Sequence, residues 1–489
     1  MTEEIFDCCI IGAGVVGCAI ARRLAQFQLK TAVIEKGPDV CCGTSKANSG
    51  IVHAGYAAQP GTLKAKFNAA GNPLFDQVCH ELSVPFARIG TFVVAITDDG
   101  IKVLEKLYQR GQENKIPKLQ IITDTQKIRQ MEPSLTPNVT GVLYAPTGGI
   151  VSPYDLTIGL AENAYVNGVQ FFFNSEVVGI DIKERYKVIQ TRSKEIKTHF
   201  ILNAAGVHAD EISRMVGLDY FTITPRKGEY ILLDKKCIEL NHVLFPIPTP
   251  ISKGIVVSIT MEGHIFLGPN AETIEDKEDK STTTEGLNEI IEGARKLVPD
   301  IPVNEAIVTY AGLRAVSDNN DFIIEPTKVE GFINVAGIQS PGLTASLAIA
   351  EYIVELLENL GVKLSVKPNF NPIREIPPRF ATLSNEERHQ LILRNPDYGH
   401  IICRCEYVTE AEIKAAIHRP LGATTLDGVK FRTRAQMGRC HGGFCTNRIL
   451  EILSRELQVP IEQISKKGPK SELIVGKTKD LWRITVEGN

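Results

Sequence analysis

The sequence lacks an excess of charge of either sign: 54 Lys and Arg stand against 57 Asp and Glu, a formal net charge of -3. No global field marks it as a nucleic-acid or bilayer-surface protein, although local anion sites are open to it. It also lacks an apolar run of the roughly 18 residues that a membrane span needs, because its apolar stretches are broken early by Gly, Asn or charge. Peripheral attachment to a membrane through a partner would leave little trace. The opening Met1 to Asp7 is polar and acidic, with no cationic and then apolar export leader, so a cytoplasmic location is expected. No internal repeat or disordered tract is visible, since the 40 Gly and 26 Pro are dispersed. The 11 Cys are an odd number in separate regions, which argues against a secreted disulfide framework.

What is present is length and apolar content for more than one core, 489 residues of which 43% are hydrophobic. Phe6 to Ile11 reads as a strand, Cys18 to Gln28 as helix and Thr31 to Ile34 as a second strand, with Gly12-Ala13-Gly14-Val15-Val16-Gly17 between the first two. In such a unit Gly12 makes the sharp turn, Gly14 admits a pyrophosphate close to the main chain, and Gly17 lets helix and strand pack tightly. The helix N-terminus then faces negative charge. Glu35 closes the second strand where it can accept ribose hydroxyl hydrogen bonds, and it disfavours an added 2'-phosphate. A bare Gly-rich turn is the bland alternative, and the motif alone does not separate FAD from NAD.

Downstream, Cys41 to Gly55 forms a small, polar loop containing Thr44, Ser45, Asn48, Ser49, Gly50 and His53. Here the chain resembles the D-amino-acid oxidase-like family of FAD-dependent oxidoreductases. The resemblance places Thr44, Ser45, Asn48, Ser49 and Gly50 beside the pyrophosphate and flavin, whereas the same residues taken locally also suit a capped helix entrance. Phe200 to Asp210 looks like the family strand and loop that return to the cofactor, with Ala205 and Gly206 close to it. Gly331 to Gly337 reads as strand and turn, followed by helical residues through Leu357. Resemblance puts Gly337, Gly342, Leu343 and Thr344 near the isoalloxazine carbonyls, where the helix N-terminus would stabilise charge on a reduced ring.

These segments assign residues 1-75, 145-215 and 330-370 to an α/β, Rossmann-like FAD-binding domain. Interwoven with it, 76-144 and 216-329 are expected to form an antiparallel, β-rich substrate domain roofing the flavin, from strand-like stretches at Thr91 to Ile96, Tyr230 to Leu233, Gly254 to Thr260 and His264 to Leu267. Arg314, within Tyr310 to Ser317, is the preferred anchor for an anionic substrate, because a guanidinium grips carboxylate or phosphate with two donors. An interface ion pair is its alternative. His53 and His264 are the candidate bases for the alcohol proton, each weighed against an ordinary structural hydrogen bond. Arg226 and Lys227 read as a solvated turn or as charges that attract substrate, while Gly268 and Pro269 are architectural.

Several prolines between Pro372 and Ser384 suggest a linker, placed at 371-394, ahead of a module at 395-460 and a C-terminal extension at 461-489. Cys403-Arg404-Cys405, then 34 residues, then Cys440-His441-Gly442-Gly443-Phe444-Cys445 offer four thiolates for one [2Fe-2S] cluster, with tetrahedral zinc as the alternative. The segment resembles bacterioferritin-associated-ferredoxin-like [2Fe-2S] modules. FAD takes two electrons and such a cluster passes one at a time, which implies export to a redox-partner protein or second flavoprotein subunit. The two-module layout resembles catalytic subunits of anaerobic glycerol-3-phosphate dehydrogenases, implying oxidation of sn-glycerol 3-phosphate to dihydroxyacetone phosphate. One departure stands out: Gly337 to Thr344 lacks the lysine found there in glycerol-phosphate members, and Ser340-Pro341-Gly342 looks more like L-2-hydroxyglutarate dehydrogenases. An L-2-hydroxy-acid dehydrogenase is therefore the second reading, followed by a secondary-amine oxidoreductase and a noncatalytic electron-transfer subunit.

Overall fold

The computed structural model describes residues 4-248, 254-476 and 478-479. They fall into two units, Met1–Lys36 with Val40–Arg374, and Gly37–Asp39 with Glu375–Asn489.

The first unit is organised around two sheets. In one, parallel strands run in the order Phe332–Ala336, Glu195–Asn203, Ile5–Ile11, Thr31–Ile34 and Gln170–Phe172. Ile5–Ile11 and Thr31–Ile34 are almost continuously apolar because helices cover such a sheet on both faces. The Gly-rich turn leaves the carboxyl end of Ile5–Ile11, between strands that run on from it to opposite sides, the usual nucleotide crevice of open α/β sheets. Helix Val15–Leu24 packs against both Pro153–Val166 and Gly342–Asn359. Ser152 caps the second of these helices by accepting from the Asp155 N–H, and Pro153 supplies a preset first turn. Two arginines tie the rear of this layer: Arg22 to Glu81, and Arg374 to Glu162 at 2.7 Å with both side chains buried.

The other sheet is largely antiparallel, and is called the roof below. Its order is Glu272–Thr273, Ile223–Lys235, His264–Gly268, Val256–Ile259, Val243–Pro246, Thr91–Ala95, Gly141–Ala145 and Gln120–Ile122, with Ala306–Ser317 also paired to Ile223–Lys235. All neighbours are antiparallel except Val243–Pro246 beside Thr91–Ala95. Helix Thr284–Leu297 buries Ile290, Ala294 and Leu297 against Leu233, Leu244 and Leu267, and helix Asp98–Glu113 buries Leu104 and Leu107 against Val93 and Phe266. The pair that matters most is Ile223–Lys235 with Ala306–Ser317, in register Arg226↔Arg314, Gly228↔Gly312 and Tyr230↔Tyr310. Alternation of side chains places these pairs on one face of the sheet.

The second unit holds short strands Ile401–Cys403 and Val408–Thr409 with helices Asn385–Arg394, Glu410–His418, Leu426–Thr433 and Thr446–Leu457. Its core joins Ile413, Leu426, Val429, Ile449 and Leu453. The stretch read as a linker carries structure of its own: Ser384 and Glu387 form a reciprocal cap on Asn385–Arg394, and Phe380 stacks on Tyr398 at 6.4 Å. Proline content there reflects turns leading into a helix. The stretch read as an extension also joins the core through Ile464, and its backbone accepts from the N–H of Leu426 and Asp427. Residues 477 and 480-489 of that stretch lie outside the described residues.

Gly312 passes so close to the 41-55 loop that an added Cβ would lie 1.9 Å from the Ala47 carbonyl oxygen, a backbone atom with little room to yield. Gly312→Ala is expected to cost stability at the upper end of the ~1–3 kcal/mol usual for overpacking, lowering the melting temperature and the flavin content of the purified protein. Thermal melting with flavin quantitation checks this, and wild-type values for both would show that roof and loop can separate without cost.

Candidate active site and metal centre

The dinucleotide turn has the expected geometry. Gly12 has φ 107°, and an added Cβ would lie 2.5 Å from the Ala204 carbonyl oxygen; at Gly17 it would lie 2.0 Å from the Gly12 carbonyl oxygen. Glu35 accepts from the Ala13 N–H at 2.8 Å, which holds its carboxylate against the turn. Ser45 accepts from Val15 N–H at 2.9 Å, so the polar loop sits over the first turn of helix Val15–Leu24. Asn48 donates to the Ser45 carbonyl and accepts from the Gly50 N–H, both at 2.8 Å, and so shapes the loop from within around half-buried Ser49. Gly50 has φ 63° and its carbonyl accepts from Val151 N–H, while the Thr44 hydroxyl donates to the Leu313 carbonyl at 2.7 Å. Loop and roof are thereby joined.

Thr344 carries the junction on the other side. Its hydroxyl accepts from His53 N–H at 2.9 Å, linking the 41-55 loop to the first turn of Gly342–Asn359, a helix with no side-chain cap. Leu343 is half-buried beside it, and Gly337 has φ 67° at the preceding turn. Ala205 and Gly206 open a short turn after Glu195–Asn203, and an added Cβ on Gly206 or on Gly43 would meet no atom within 4 Å.

Around this framework the structure brings together groups that the sequence scattered. His53 Nε2 and Ser340 Oγ share a hydrogen bond at 3.3 Å, and the His53 carbonyl is gripped by Asn68 and Asn72. Arg314 crosses over Gly228 to place a guanidinium N–H 3.0 Å from the Asn270 carbonyl, with a longer 3.5 Å contact to that of Lys227. An added Cβ on Gly228 would lie 2.5 Å from an Arg314 nitrogen, so the glycine is the slot through which the guanidinium passes. Tyr230 and Tyr310, stacked at 4.8 Å, are pushed above the usual phenol range by burial and stay protonated. No carboxylate pairs with Arg314 or Arg226 among the described residues, and burial lowers the Arg314 pKa, aided by the Arg226 charge facing it. The interface ion pair weighed for Arg314 is therefore absent there.

Arg226 lies within the ladder, not in a solvated turn, and its Nε is buried with no hydrogen-bond partner. Lys227 points to the other side and is buried against Glu272 and Asp279 at 3.2 and 3.0 Å. Half-buried Lys64, which the sequence left unmarked, bonds through its ammonium to Asn320, whose side chain accepts from Gln339 at 2.9 Å, next to Ser340. Burial lowers its pKa, the Asp321 charge opposes this, and Arg226 adds to the lowering. The signal for Arg226 was present as mirrored patterns, Arg-x-Gly-x-Tyr at 226-230 and Tyr-x-Gly-x-Arg at 310-314. His264 is not brought to this group. It starts its strand opposite Lys235, at the far end of Ile223–Lys235 from Arg226, and Nδ1 contacts the Leu233 carbonyl at 3.2 Å.

The four C-terminal cysteines converge in two pairs. Cys405 and Cys440 sulfurs are 3.6 Å apart, and Cys403 with Cys445 form the inner, buried pair. The hydrogen bond from Cys445 holds the Cys403 thiol at about 6, helped by the Gln436 and Glu406 backbone and opposed by burial. Tyr407, Arg434, Gln436, His441 and Gly442 all have positive φ, bending both loops around the sulfurs. Asp397, His400 and Glu410 also gather, but Lys414 lies 2.7 Å from Asp397 and Arg455 lies 2.6 Å from Glu410, so cations already satisfy them.

The family described as FAD dependent oxidoreductase matches residues 7-356, and the BFD-like [2Fe-2S] binding domain matches residues 401-455. The chain belongs to the FAD-dependent oxidoreductase family. It is 48% identical to a glycerol 3-phosphate dehydrogenase of Caloramator mitchellensis, over 97% of this chain and 99% of that protein. An L-α-glycerophosphate oxidase structure from Mycoplasma pneumoniae, dithionite-reduced with FAD bound, is 32% identical with a TM-score of 0.73, covering 77% of this chain and 100% of that one. The mitochondrial L-2-hydroxyglutarate dehydrogenase of Arabidopsis thaliana is 28% identical over 72% of this chain and 83% of that protein. The protein is thus an FAD-dependent oxidoreductase with a BFD-like [2Fe-2S] domain.

The residues fit both groups. Side-chain-free space over Gly206 and Gly43 and the helix start at Pro341, which has no side-chain cap, suit a pyrophosphate and a ring that need backbone N–H donors. Four sulfurs in two pairs, flanked by backbone donors, suit two irons with two thiolates each.

Two substitutions follow from this geometry. Gly228→Ala, by blocking the Arg314 path, is expected to raise the substrate KM about tenfold or more, the loss of a charged hydrogen bond, with flavin content unchanged; an unchanged KM would free Arg314 from that slot. Cys403→Ser is expected to abolish stoichiometric iron and labile sulfide in anoxically purified protein while FAD stays bound. Stoichiometric zinc without sulfide in the parent protein would contradict the cluster.

Proposed function

We propose that this protein oxidises sn-glycerol 3-phosphate to dihydroxyacetone phosphate and that the electrons leave singly through the C-terminal cluster to an external redox protein. The observation that carries the reading is a set of three cations, Lys64, Arg226 and Arg314, in which neither arginine has a carboxylate partner among the described residues and Lys64, beside Asp321, is linked through Asn320 to Gln339, next to Ser340. A phosphate dianion supplies the missing countercharge for such a set. Lys64 also answers the departure at Gly337 to Thr344: the phosphate-side lysine absent from that motif is replaced by one from the helix Leu63–Gly71. Similarity to glycerol-phosphate dehydrogenases and oxidases over most of the chain supports the same substrate.

When bound, FAD supplies the hydride acceptor and the cluster a one-electron outlet. Arg314 and Arg226 would fix the phosphate, leaving the secondary alcohol to face His53. In the free protein Ser340 Oγ occupies His53 Nε2 at 3.3 Å; the substrate hydroxyl would displace it there and give Nε2 its proton as the carbon–hydrogen bond breaks. The Tyr230–Tyr310 stack lies on the same face of the roof and excludes water beside the anion site. On this reading Glu35, Ser45, Gly14 and the first turn of Val15–Leu24 hold the dinucleotide, while Gly337 and the first turn of Gly342–Asn359 face the flavin. The reading keeps the protein cytoplasmic, in line with 11 cysteines that are free of disulfides. No helix among the described residues is long and apolar enough to cross a membrane.

Anaerobic mixing with sn-glycerol 3-phosphate, L-2-hydroxyglutarate and proline tests the substrate. Flavin bleaching within seconds by the first alone is the expected result, and preferential bleaching by L-2-hydroxyglutarate would replace it with the hydroxy-acid reading. Lys64→Gln should raise KM for glycerol 3-phosphate about tenfold with kcat little changed, as for removal of a uniform binding contact.

A further inference from the structure

One loop of the roof reaches into the nucleotide-binding layer. Both ends of the segment 270-283 are fixed at Glu229, whose N–H donates to Asn270 Oδ1 at 2.8 Å and whose carboxylate accepts from the Thr283 N–H and hydroxyl at 3.1 and 3.0 Å. Lys227, on the same strand, holds Asp279 at 3.0 Å. The tip carries Lys277 and Glu278, and both are engaged outside the roof. Lys277 pairs with Asp210 at 2.6 Å and Glu211 at 2.8 Å on helix Ala209–Arg214, where Arg214 also reaches Asp210. Glu278 accepts from Lys36 at 2.8 Å and contacts His208 Nε2 at 3.2 Å, and these two partners lie 2.9 Å from each other. Lys280, within the loop itself, reaches Glu278 at 3.2 Å.

The sheet order gives these contacts their meaning. Thr31–Ile34 and Glu195–Asn203 flank Ile5–Ile11 on opposite sides; Lys36 follows the first of them, and His208 ends the short turn after the second. Glu278 therefore spans the exits of the two strands between which the Gly-rich turn leaves Ile5–Ile11, at the crevice where open α/β sheets hold a nucleotide. Glu35 and the open space over Gly206 border the same crevice. We infer that Glu278 is a cofactor-retaining residue, whose bridge to Lys36 and His208 latches the roof loop across the crevice and slows the departure of bound FAD. The two contacts of the tip differ in exposure. The side chains of Lys277 and Asp210 are 16% and 2% exposed and anchor the loop, whereas those of Glu278 and Lys36 are 57% and 49% exposed, a pair that water and salt open readily. Such a pair adds little to stability, so its effect is read in a release rate. The inference rests on the placement of the dinucleotide beside Glu35 proposed above.

The test follows FAD release from the anoxic holoenzyme by the rise in flavin fluorescence on dilution. Glu278→Ala should speed release about fivefold, the upper range for an exposed ion pair. Raising salt from ~20 to ~500 mM should speed release from the parent protein by a similar factor and leave the Glu278→Ala rate nearly unchanged. Lys36→Met should match Glu278→Ala, and the double variant should be no faster than either, because both break one bridge. Lys280→Met, which removes a contact internal to the loop, should release FAD at the parental rate. A parental rate in Glu278→Ala would overturn the proposal, the loop then serving the fold alone, and so would additive effects of the Lys36 and Glu278 changes, since the two residues would then act separately. Glu35→Gln separates the underlying placement: FAD release at the parental rate in that variant would remove the dinucleotide from beside Glu35, whatever the Glu278 variants do.

Discussion

The register between Ile223–Lys235 and Ala306–Ser317 is the constraint on which the site depends. It sets Arg226 opposite Arg314, Gly228 opposite Gly312 and Tyr230 opposite Tyr310. A slip by one residue would turn all of these to the other face, where Lys227 already has its carboxylates. The tyrosine stack pins the register at one end and the glycine pair permits two close approaches, roof to loop at Ala47 and guanidinium across strand at Gly228. The Thr44 bond to Leu313 then fixes the roof to the loop that also meets the helix Val15–Leu24. The arginine pair and the loop packed on the Gly-rich turn are therefore positioned by one ladder.

Charge without countercharge is the second theme. Several buried cations elsewhere are matched: Lys227 with Glu272 and Asp279, Arg374 with Glu162, Arg434 with Glu406. Removing one partner of such a pair costs about 3–5 kcal/mol, because the other is left desolvated. Arg314 and Arg226, both half-buried, lack such a carboxylate among the described residues, and Arg314 rests instead on the backbone carbonyls of Asn270 and Lys227. Burial and mutual repulsion depress the Arg314 pKa, and the charge of a bound anion would offset both. Stability given up in the free protein in this way would become affinity for an anion placed between them.

The tight Gly-rich turn, the 41-55 loop packed on it and the convergence of the four cysteines were legible because their geometry is set within short windows. Gly12, Gly14 and Gly17 have roles that local backbone geometry enforces, and the four cysteines sit on two compact loops. Helix Thr446–Leu457 follows the apolar periodicity of its own residues, burying Ile449, Leu450, Ile452 and Leu453. Arg226 was less legible because its meaning comes from a partner on a distant strand, although the mirrored patterns carry that pairing. Lys64 had no local signal: Asp321, from a far turn, accepts from the Leu63 and Lys64 N–H groups and so orients that helix start. His264 misled because its place before a strand does not say which end of the sheet it occupies. The proline-rich stretch after residue 372 misled because composition does not distinguish a linker from turns leading into the capped helix Asn385–Arg394.

The most direct measurement is a crystal structure of the anoxic holoenzyme with sn-glycerol 3-phosphate. The account predicts phosphate oxygens within hydrogen-bond distance of both Arg226 and Arg314, the Lys64 ammonium turned towards them, and the secondary hydroxyl beside His53. A phosphate bound away from these cations, with Arg314 still resting on the Asn270 carbonyl, would contradict it.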